Sequence, residues 1–390
     1  MRRRWVVACA AVFVVVGAAT AGAAEVRFGG LFDVAATAGN GDVLNRTSHG
    51  DSPFDPYRLR LSLDASVTPK LQVYGQMILH EGQRELRADE AYLMWTPWLG
   101  RDAHLEAGKI PWPIGTFGPR TYSDKNPLVG APLMYQYHTA LPWNRVPASV
   151  DELVAHAGQG QQLLGAQPQT WVGMPVVDDR WWDVGVAAVG VQRPFEYSVG
   201  VTRGSPGWPE AMSVENVKGQ SVMGRIGIVP MTGVRAGVSG SYGMWAPDWF
   251  VYSLAPGDKT TDYHEALAMA DLELMRDRWE LRGEAFLKYW ETVTTGTLHL
   301  NGGYAEARVG LLAGAWFAAR AERMRFSDVT TSGGITRPWD DGVDRYEAGF
   351  GYRVTREVQV RLVGQRNVRR PYGTPVVSED LGTLATSIRF

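Results

Sequence analysis

The sequence predicts an all-β protein: a transmembrane antiparallel β-barrel of about 16 strands, with short turns at one end and long loops at the other. Three observations predict this fold class. Apolar and polar residues alternate with a period of two along most of the chain after residue 24, as in strands whose two faces meet different surroundings. The connections between these segments alternate between short and long. The last such segment runs to the final residue, Phe390.

The first 24 residues are typical of a secretory signal peptide. Arg2, Arg3 and Arg4 precede an apolar stretch from Trp5 to about Gly17, and small residues follow. The apolar stretch is shorter than the roughly 20 residues of a membrane-spanning helix. This order predicts a cleaved signal at residues 1–24 and an exported mature chain, residues 25–390, that forms a single barrel domain.

Composition restricts the chemistry of the mature chain. The single cysteine, Cys9, lies in the signal segment, which excludes structural disulfides and thiolate metal sites after cleavage. Loss of the three signal arginines reduces 39 basic residues to 36, against 41 acidic ones, so the net charge near −5 favours no nucleic-acid partner. The seven histidines are scattered without metal-ligand spacing, and no nucleophile elbow, HExxH motif or P-loop is present. The sequence therefore predicts no cofactor, no metal ligands and no catalytic residues.

Alternating segments predict the strands. In the stretch PYRLRLSLDASV, Leu59 and Leu61 share one face, and the arginines beside them share the other. Segments of this kind are even in number, as in bacterial barrels, and are near the 9–11 residues that cross a bilayer at a tilt. They lie near residues 25–36, 56–67, 71–80, 86–97, 102–110, 180–191, 194–204, 217–229, 232–243, 263–274, 277–290, 300–311, 313–325, 343–354, 357–367 and 380–390.

The connections favour a membrane barrel over a soluble sandwich. Long connections fall near 37–55, 111–179, 205–216, 244–262, 291–299, 326–342 and 368–379, with 81–85 as one brief exception. Short ones lie between them, as at 68–70, 192–193 and 276–277. Membrane barrels have short periplasmic turns and long external loops, so this order predicts both termini on the periplasmic side. A secreted β-sandwich also alternates, but it explains neither the loop pattern nor the terminal strand.

The terminal stretch LATSIRF places Phe390 and Ile388 on the apolar face of the last strand. It resembles the assembly signature of the bacterial outer-membrane porins, and the stretch AGKIPWPIGTFG is similar to a segment of their phosphate-selective group. The resemblance implies a channel in the outer membrane, assembly by the barrel-insertion machinery, contact with outer-membrane lipid, and a homotrimer. It also implies that the third external loop folds into the lumen.

Residues 111–179 form that third loop, which is far longer than ordinary loops. The alternative is an external flap over the mouth. Within it, GPRTYSDKNP carries Arg120, Asp124 and Lys125, which a loop folded inward would present to the lumen as a constriction. The stretch SVDELVAHAG predicts a short helix with Ser149 as its N-cap and Glu152 completing a capping box.

Charged residues that alternate with apolar ones on the predicted strands face the lumen, because on the lipid face each would cost about 2–4 kcal/mol near the midplane. Opposed charges across a wet pore set ion preference, and an excess of arginine opposite the loop predicts a modest anion preference. The predicted pore-lining residues are Arg58, Arg60, Asp64, Glu90, Arg225, Arg282, Glu284, Arg308 and Arg361.

The function predicted from these features is passive diffusion of small hydrophilic solutes or ions through a water-filled channel, without enzyme activity. Two alternatives stay open at this point. A barrel can sheath a partner protein such as a cytochrome, and a barrel enzyme or adhesin can assemble a dispersed site from strand ends.

Overall fold

A computed structural model describes residues 25–40, 57–80, 86–97, 102–160, 171–178, 181–207 and 220–390. The predicted signal segment 1–24, most of the first long loop and part of the third lie outside these ranges. Within them, no helix is long and apolar enough to cross a membrane.

Sixteen antiparallel strands form one closed barrel, which confirms the predicted fold class and strand number. The sheet closes because the first strand pairs with the second strand on one side and with the last strand on the other. The barrel strands are β1 (Glu25–Asn40), β2 (Tyr57–Thr68), β3 (Leu71–His80), β4 (Arg87–Trp95), β5 (Ala103–Pro111), β8 (Trp182–Gln192), β9 (Phe195–Thr202), β10 (Ser221–Met231), β11 (Val234–Met244), β12 (His264–Arg276), β13 (Trp279–Thr292), β14 (Gly296–Leu312), β15 (Ala315–Phe326), β18 (Gly342–Arg353), β19 (Val358–Arg370) and β20 (Val377–Arg389).

Two small two-stranded antiparallel sheets lie inside long connections and were not predicted. One joins β6 (His138–Pro142) to β7 (Gly173–Pro175), and the other joins β16 (Asp328–Thr330) to β17 (Thr336–Pro338). The third long loop also holds a 3₁₀ turn at Gly118–Thr121 and short helices at Leu133–Gln136 and Val150–Ala155. All of these elements except the helix Val150–Ala155 were missed, because they are too short to show a clear period in the sequence.

The predicted helix begins where its cap was expected. The Glu152 amide donates to the Ser149 hydroxyl, at 3.3 Å. The Glu152 carboxylate accepts from the amide of Ala148, at 2.6 Å, rather than from the N-cap amide that a capping box uses.

The two faces of the wall differ as a membrane barrel requires. Outward-facing aliphatic side chains such as Val199, Leu287 and Leu362 are more than half exposed. Inward-facing arginines and carboxylates at the neighbouring positions are buried within the protein. Because a register slip of one residue would exchange the faces, this alternation fixes the pairing of every strand.

Short turns close one end of the barrel, called here the turn end, and the long connections lie at the opposite loop end. Gly233, in the turn between β10 and β11, has φ +82°, and a Cβ there would lie 2.0 Å from the carbonyl oxygen of Met275. Both the backbone angle and the close approach require glycine.

Phe390 and Ile388 lie at the seam between the first and last strands. The Phe390 amide donates to the Gly30 carbonyl at 3.0 Å, and the Gly30 amide donates back to the Phe390 carbonyl at 2.8 Å. The aromatic ring covers Gly30, where a Cβ would come within 2.3 Å of Phe390 Cζ. Ile388 pairs with Phe32 on one side and Val358 on the other.

Candidate functional site

The described residues of the third long loop, 112–160 and 171–178, are named here the inner segment. Its aromatic and aliphatic side chains form the main buried hydrophobic cluster of the chain, together with inward-facing residues of β12 to β15. Phe117 and Tyr135 stack with ring centroids 5.1 Å apart inside this cluster. The cluster holds the inner segment against the wall, and polar contacts then fix its position.

Glu284, on β13, anchors the start of the inner segment. Its carboxylate accepts from the Thr116 amide at 2.6 Å, the Thr116 hydroxyl at 3.1 Å and the Tyr135 hydroxyl at 2.6 Å. The neighbouring amide of Gly115 donates to Ser239 Oγ at 2.9 Å. This predicted pore-lining residue is therefore covered by protein rather than by water.

Arg120 lies in the same interface and is buried. It donates to Glu306 Oε1 at 2.6 Å and to the hydroxyl of Tyr304 at 2.7 Å, both on β14. Its guanidinium also lies 4.8 Å from the ring centroid of Phe117. Arg120 was predicted to lie in a constriction that faces the lumen; in the structure its guanidinium is paired with Glu306 of the wall.

Arg361, on β19, holds the middle of the inner segment and is 1% exposed. Its Nη1 lies 2.9 Å from the Ser123 carbonyl oxygen, 3.1 Å from that of Asn126 and 2.8 Å from that of Leu128. Its Nη2 donates to the hydroxyl of Ser387 at 2.5 Å. The side chain of Arg361 therefore binds three backbone carbonyl oxygens within residues 123–128.

Tyr122 reaches the other side of the barrel. Its hydroxyl accepts from Gln76 on β3 at 2.6 Å and donates to Glu90 on β4 at 3.3 Å. Since β3 and β14 are the third and twelfth of the sixteen strands, Tyr122 and Arg120 contact nearly opposite parts of the wall. The inner segment thus crosses the barrel interior within the described residues.

Two arginines of β2 lie beside this crossing. Arg58 is buried and donates to Asp33 Oδ2 through Nε at 3.1 Å and Nη2 at 2.8 Å. Arg60 stacks 4.9 Å from the ring centroid of Tyr122 and is 5% exposed. Its Nε and Nη1 have no hydrogen-bond partner among the described residues, whereas Arg58, the other arginine of β2, is paired with Asp33.

A second set of buried charges was missed by the sequence analysis. Arg320 contacts three carboxylates, with Glu322 at 3.0 Å, Glu306 at 3.3 Å and Glu347 as the third. Arg345 donates to Asn367 at 3.0 Å and to the Ala131 carbonyl of the inner segment at 3.2 Å. In the stretch WFAARAERMRF, the alternation places Arg320 and Glu322 on the inward face. The sequence pattern was therefore sufficient to find these two residues.

The remaining predicted arginines of the wall pair with carboxylates of the wall that were not in the predicted set. Arg225 donates to the Asp271 carboxylate through Nε at 2.8 Å and Nη2 at 2.6 Å, and its Nη1 contacts Glu196. Arg282 lies 3.2 Å from Glu280 and 3.4 Å from Glu273. Arg308 contacts Glu280 as well, with its guanidinium 5.1 Å from the Trp316 ring. This part of the wall forms a ladder of ion pairs.

A cavity of about 450 Å³ opens at the turn end beneath the inner segment. Its walls carry basic side chains from Arg60, Lys125 and Arg389, and the carboxylates of Asp64 and Asp124. Asp124 lies 3.5 Å from Arg389 and 3.8 Å from Lys125, so its charge is shared between them. Asp64, Asp124 and Lys125 therefore face this vestibule, separate from the wall contact that buries Arg120.

Asp340 joins the inner segment to the loop that precedes β18. Its carboxylate accepts from the Gly158 amide at 2.7 Å, the Ala140 amide at 2.8 Å and the Tyr137 hydroxyl at 3.2 Å. Burial raises the pKa of this carboxyl to about 7, and the backbone donors only partly offset that effect. The adjacent Asp341 pairs with Arg369 at 3.3 Å.

All nine predicted pore-lining residues lie on the inward side of the wall, but their surroundings differ from the expectation of an open wet lumen. Arg58, Arg225, Glu284 and Arg361 are buried in contacts with protein. Periodicity indicates which face of a strand is inward, and it carries no information on what covers that face. Among the described residues, no group of three or more His, Cys, Asp or Glu side chains is placed to hold a metal ion.

No protein-family model matches the chain, and no curated protein matches it. Solved structures match its fold along nearly its whole length. The anion-selective porin from Comamonas acidovorans has a TM-score of 0.57 at 9% identity, covering 94% of this chain and 100% of that chain. The outer-membrane channel DcaP of Acinetobacter baumannii has a TM-score of 0.54 at 10% identity, covering 94% and 97%. OmpT, an outer-membrane protein of Vibrio cholerae in its trimer form, has a TM-score of 0.54 at 9% identity, covering 94% and 99%. At these identities the likeness concerns the fold: the chain is a 16-stranded β-barrel of the kind found in bacterial outer-membrane porins.

Proposed function

We propose that the chain forms an outer-membrane channel for passive diffusion of small hydrophilic solutes or ions, and that the inner segment sets its narrowest level. The main observation in support is that the inner segment crosses the barrel interior. It is hydrogen-bonded to β3 and to β14, which lie on nearly opposite sides of the barrel. A charged inner wall and a barrel fold shared with proteins described as a porin and a channel support the same function. The proposal assigns no catalytic chemistry to the chain.

The proposed route favours anions at the turn end. Arg60 is a buried cation in the cavity wall whose Nε and Nη1 have no hydrogen-bond partner among the described residues. Beside it, the side chains of Lys125 and Arg389 are more than half exposed. Asp64 and Asp124 oppose these charges, so the preference is modest. Few waters and low-dielectric walls leave charges in such a vestibule poorly screened.

The proposed partners follow from the same fold. Outer-membrane lipid surrounds the exposed aliphatic band, and the barrel-assembly machinery acts on the last strand with Phe390 and Ile388. The trimer form of the Vibrio cholerae protein supports a homotrimer for this chain, which the mass of the detergent-solubilised particle tests. A partner protein sheathed by the barrel would have to displace the inner segment and its wall contacts, so the geometry favours a channel over a sheath.

Single-channel recording in planar bilayers tests the proposal. We expect discrete ohmic current steps, with a reversal potential on the anion side in a salt gradient. Arg60→Ala should lower the anion-to-cation permeability ratio at least about fivefold, the effect of about 1 kcal/mol from one charge about 4 Å from the ion path even with the screening of bulk water. Arg276→Ala is the matched control, because this side chain is 93% exposed at the turn end outside the vestibule.

Protein that shows the heat-modifiable mobility of a folded barrel but produces no current would overturn the channel function. If current steps are seen but wild type and Arg60→Ala have equal reversal potentials, the proposed channel function stands and the proposed role of Arg60 in anion preference is rejected.

A further inference from the structure

A basic patch lies on the outward face of the barrel at its loop end. Its four arginines come from two strands that flank β18: Arg323 and Arg325 on β15, and Arg366 and Arg370 on β19. Between them, on β18, lies Asp344. These residues are named here the rim patch.

The rim patch continues the lipid-facing surface of these strands. On β19, Leu362 is 60% exposed, and Arg366 follows it on the same face four residues nearer the loop end, about 13 Å along the strand. An outward-facing arginine is costly at the bilayer midplane, and its cost falls to about 0–1 kcal/mol near the interface. Tyr346 pairs with Arg366 and is half exposed, as in the aromatic girdle of a barrel. The patch therefore lies at the level of the lipid headgroups.

Asp344 organises the patch without neutralising it. Its buried carboxylate accepts from Arg323 at 2.8 Å and from Arg325 at 2.8 and 3.1 Å. Arg370 donates to the same carboxylate at 2.8 and 3.1 Å. One carboxylate thus fixes three guanidinium groups, and fixed donors lose less entropy when they bind a ligand.

The charges do not balance within the protein. Among the described residues, the acidic partner of Arg366 is Asp380, 3.8 Å away, so four guanidinium groups face two carboxylates. The arginine side chains remain accessible, with 64% of Arg323, 58% of Arg366 and 47% of Arg370 exposed. The patch has a net charge of about +2 at a surface where the surrounding molecules are lipids.

We propose that the rim patch binds the phosphate groups of a lipid headgroup in the outer leaflet. Guanidinium groups present paired donors that match phosphate oxygens, and basic clusters at the edge of the hydrocarbon region recognise anionic lipids. The loop end faces outward because long loops of membrane barrels are external. The site is distinct from the channel, and it binds the lipid that surrounds the barrel.

Native mass spectrometry of the full mature protein tests this site. The probe is a phosphorylated glycolipid, compared with the same glycolipid after its phosphates have been removed. We expect wild type to retain the phosphorylated form preferentially and Arg366→Gln with Arg370→Gln to weaken that binding about 10- to 30-fold. The control, Arg276→Gln with Arg356→Gln, removes two exposed turn-end arginines and should bind as wild type does.

Heat-modifiable mobility first establishes that each variant is folded. Equal binding of the two glycolipids by wild type would overturn the proposal, and so would wild-type affinity in the Arg366 and Arg370 variant. Loss of oligomer mass in that variant without any change in lipid binding would assign the patch to a second copy of the chain and would also overturn it.

Discussion

The attachment of the inner segment to the wall depends on Arg361, and replacing this residue by methionine tests the connection between that attachment and conductance. Methionine keeps most of the side-chain volume and removes the charge and the donors. Nη1 carries two hydrogens for three carbonyl acceptors, those of Ser123, Asn126 and Leu128, so one contact is shared. The substitution therefore removes about two full charged hydrogen bonds to the segment.

Hydrogen bonds to charged groups contribute about 1.5–3 kcal/mol each, and removing a buried guanidinium restores part of its desolvation cost. We expect a net loss of about 2–3 kcal/mol in the free energy that holds residues 123–128 against the wall. That loss corresponds to a roughly 30- to 150-fold increase in the local opening equilibrium.

Hydrogen exchange of the Lys125 and Asn126 amides reports this opening, because both donate to the Tyr122 carbonyl inside the turn. Their exchange should accelerate by the same factor, and single-channel conductance should rise or become noisier. Arg276→Met is the control, since it makes the same change at a turn-end arginine whose side chain is 93% exposed. Unchanged exchange in Arg361→Met would refute the assigned attachment. Faster exchange at unchanged conductance would show that the segment does not limit the current.

Two further predictions concern the loop end and the seam. The raised pKa of Asp340 means that the folded arrangement binds its proton more tightly than an exposed carboxyl with a pKa of 3.8 does. Ionising this buried carboxyl therefore lowers the stability of the folded arrangement around it by roughly 4 kcal/mol in total as pH rises from about 4 to about 7. Exchange at the Ala140 and Gly158 amides, corrected for intrinsic base catalysis, should rise over that range in wild type and remain flat in Asp340→Asn; parallel profiles in both would contradict it. Deletion of Phe390 removes two backbone hydrogen bonds at the seam, so unfolded protein should accumulate in the periplasm after normal export, and a normal barrel yield would reject its role in assembly.

The strand pattern was predictable to within a few residues because each strand separates lipid from protein. The segment predicted near 71–80 is β3, Leu71–His80, and the segment near 343–354 is β18, Gly342–Arg353. A bilayer on one side forces apolar residues onto alternate positions, so the sequence has to carry this period. The short turns follow from the same requirement.

The surroundings of the inward-facing charges were not predictable in the same way. Arg60 and Arg361 lie on inward faces with the same alternation. Arg361 binds three backbone carbonyls of the inner segment, whereas Arg60 stacks on Tyr122 and its Nε and Nη1 have no hydrogen-bond partner among the described residues. The difference depends on where a loop of irregular backbone comes to rest. That position is set by contacts between residues more than 200 positions apart, such as Ser123 with Arg361, and no local period encodes them.

Ser123 has a consequence for the assembly of the barrel. Its hydroxyl donates to Asp33 on β1, and its carbonyl accepts from Gln359 at 2.7 Å and from Arg361, both on β19. These strands lie on either side of β20, so one residue of the third loop holds the two neighbours of the strand that pairs with β1 to close the cylinder. If the wall closed before the loop had entered, Asp33 would keep Arg58 and Arg361 would keep Ser387, but the contacts of both with Ser123 would be missing. Each of these contacts adds to the free energy of the closed wall only when the loop is in place, so insertion of the loop and closure of the wall stabilise each other.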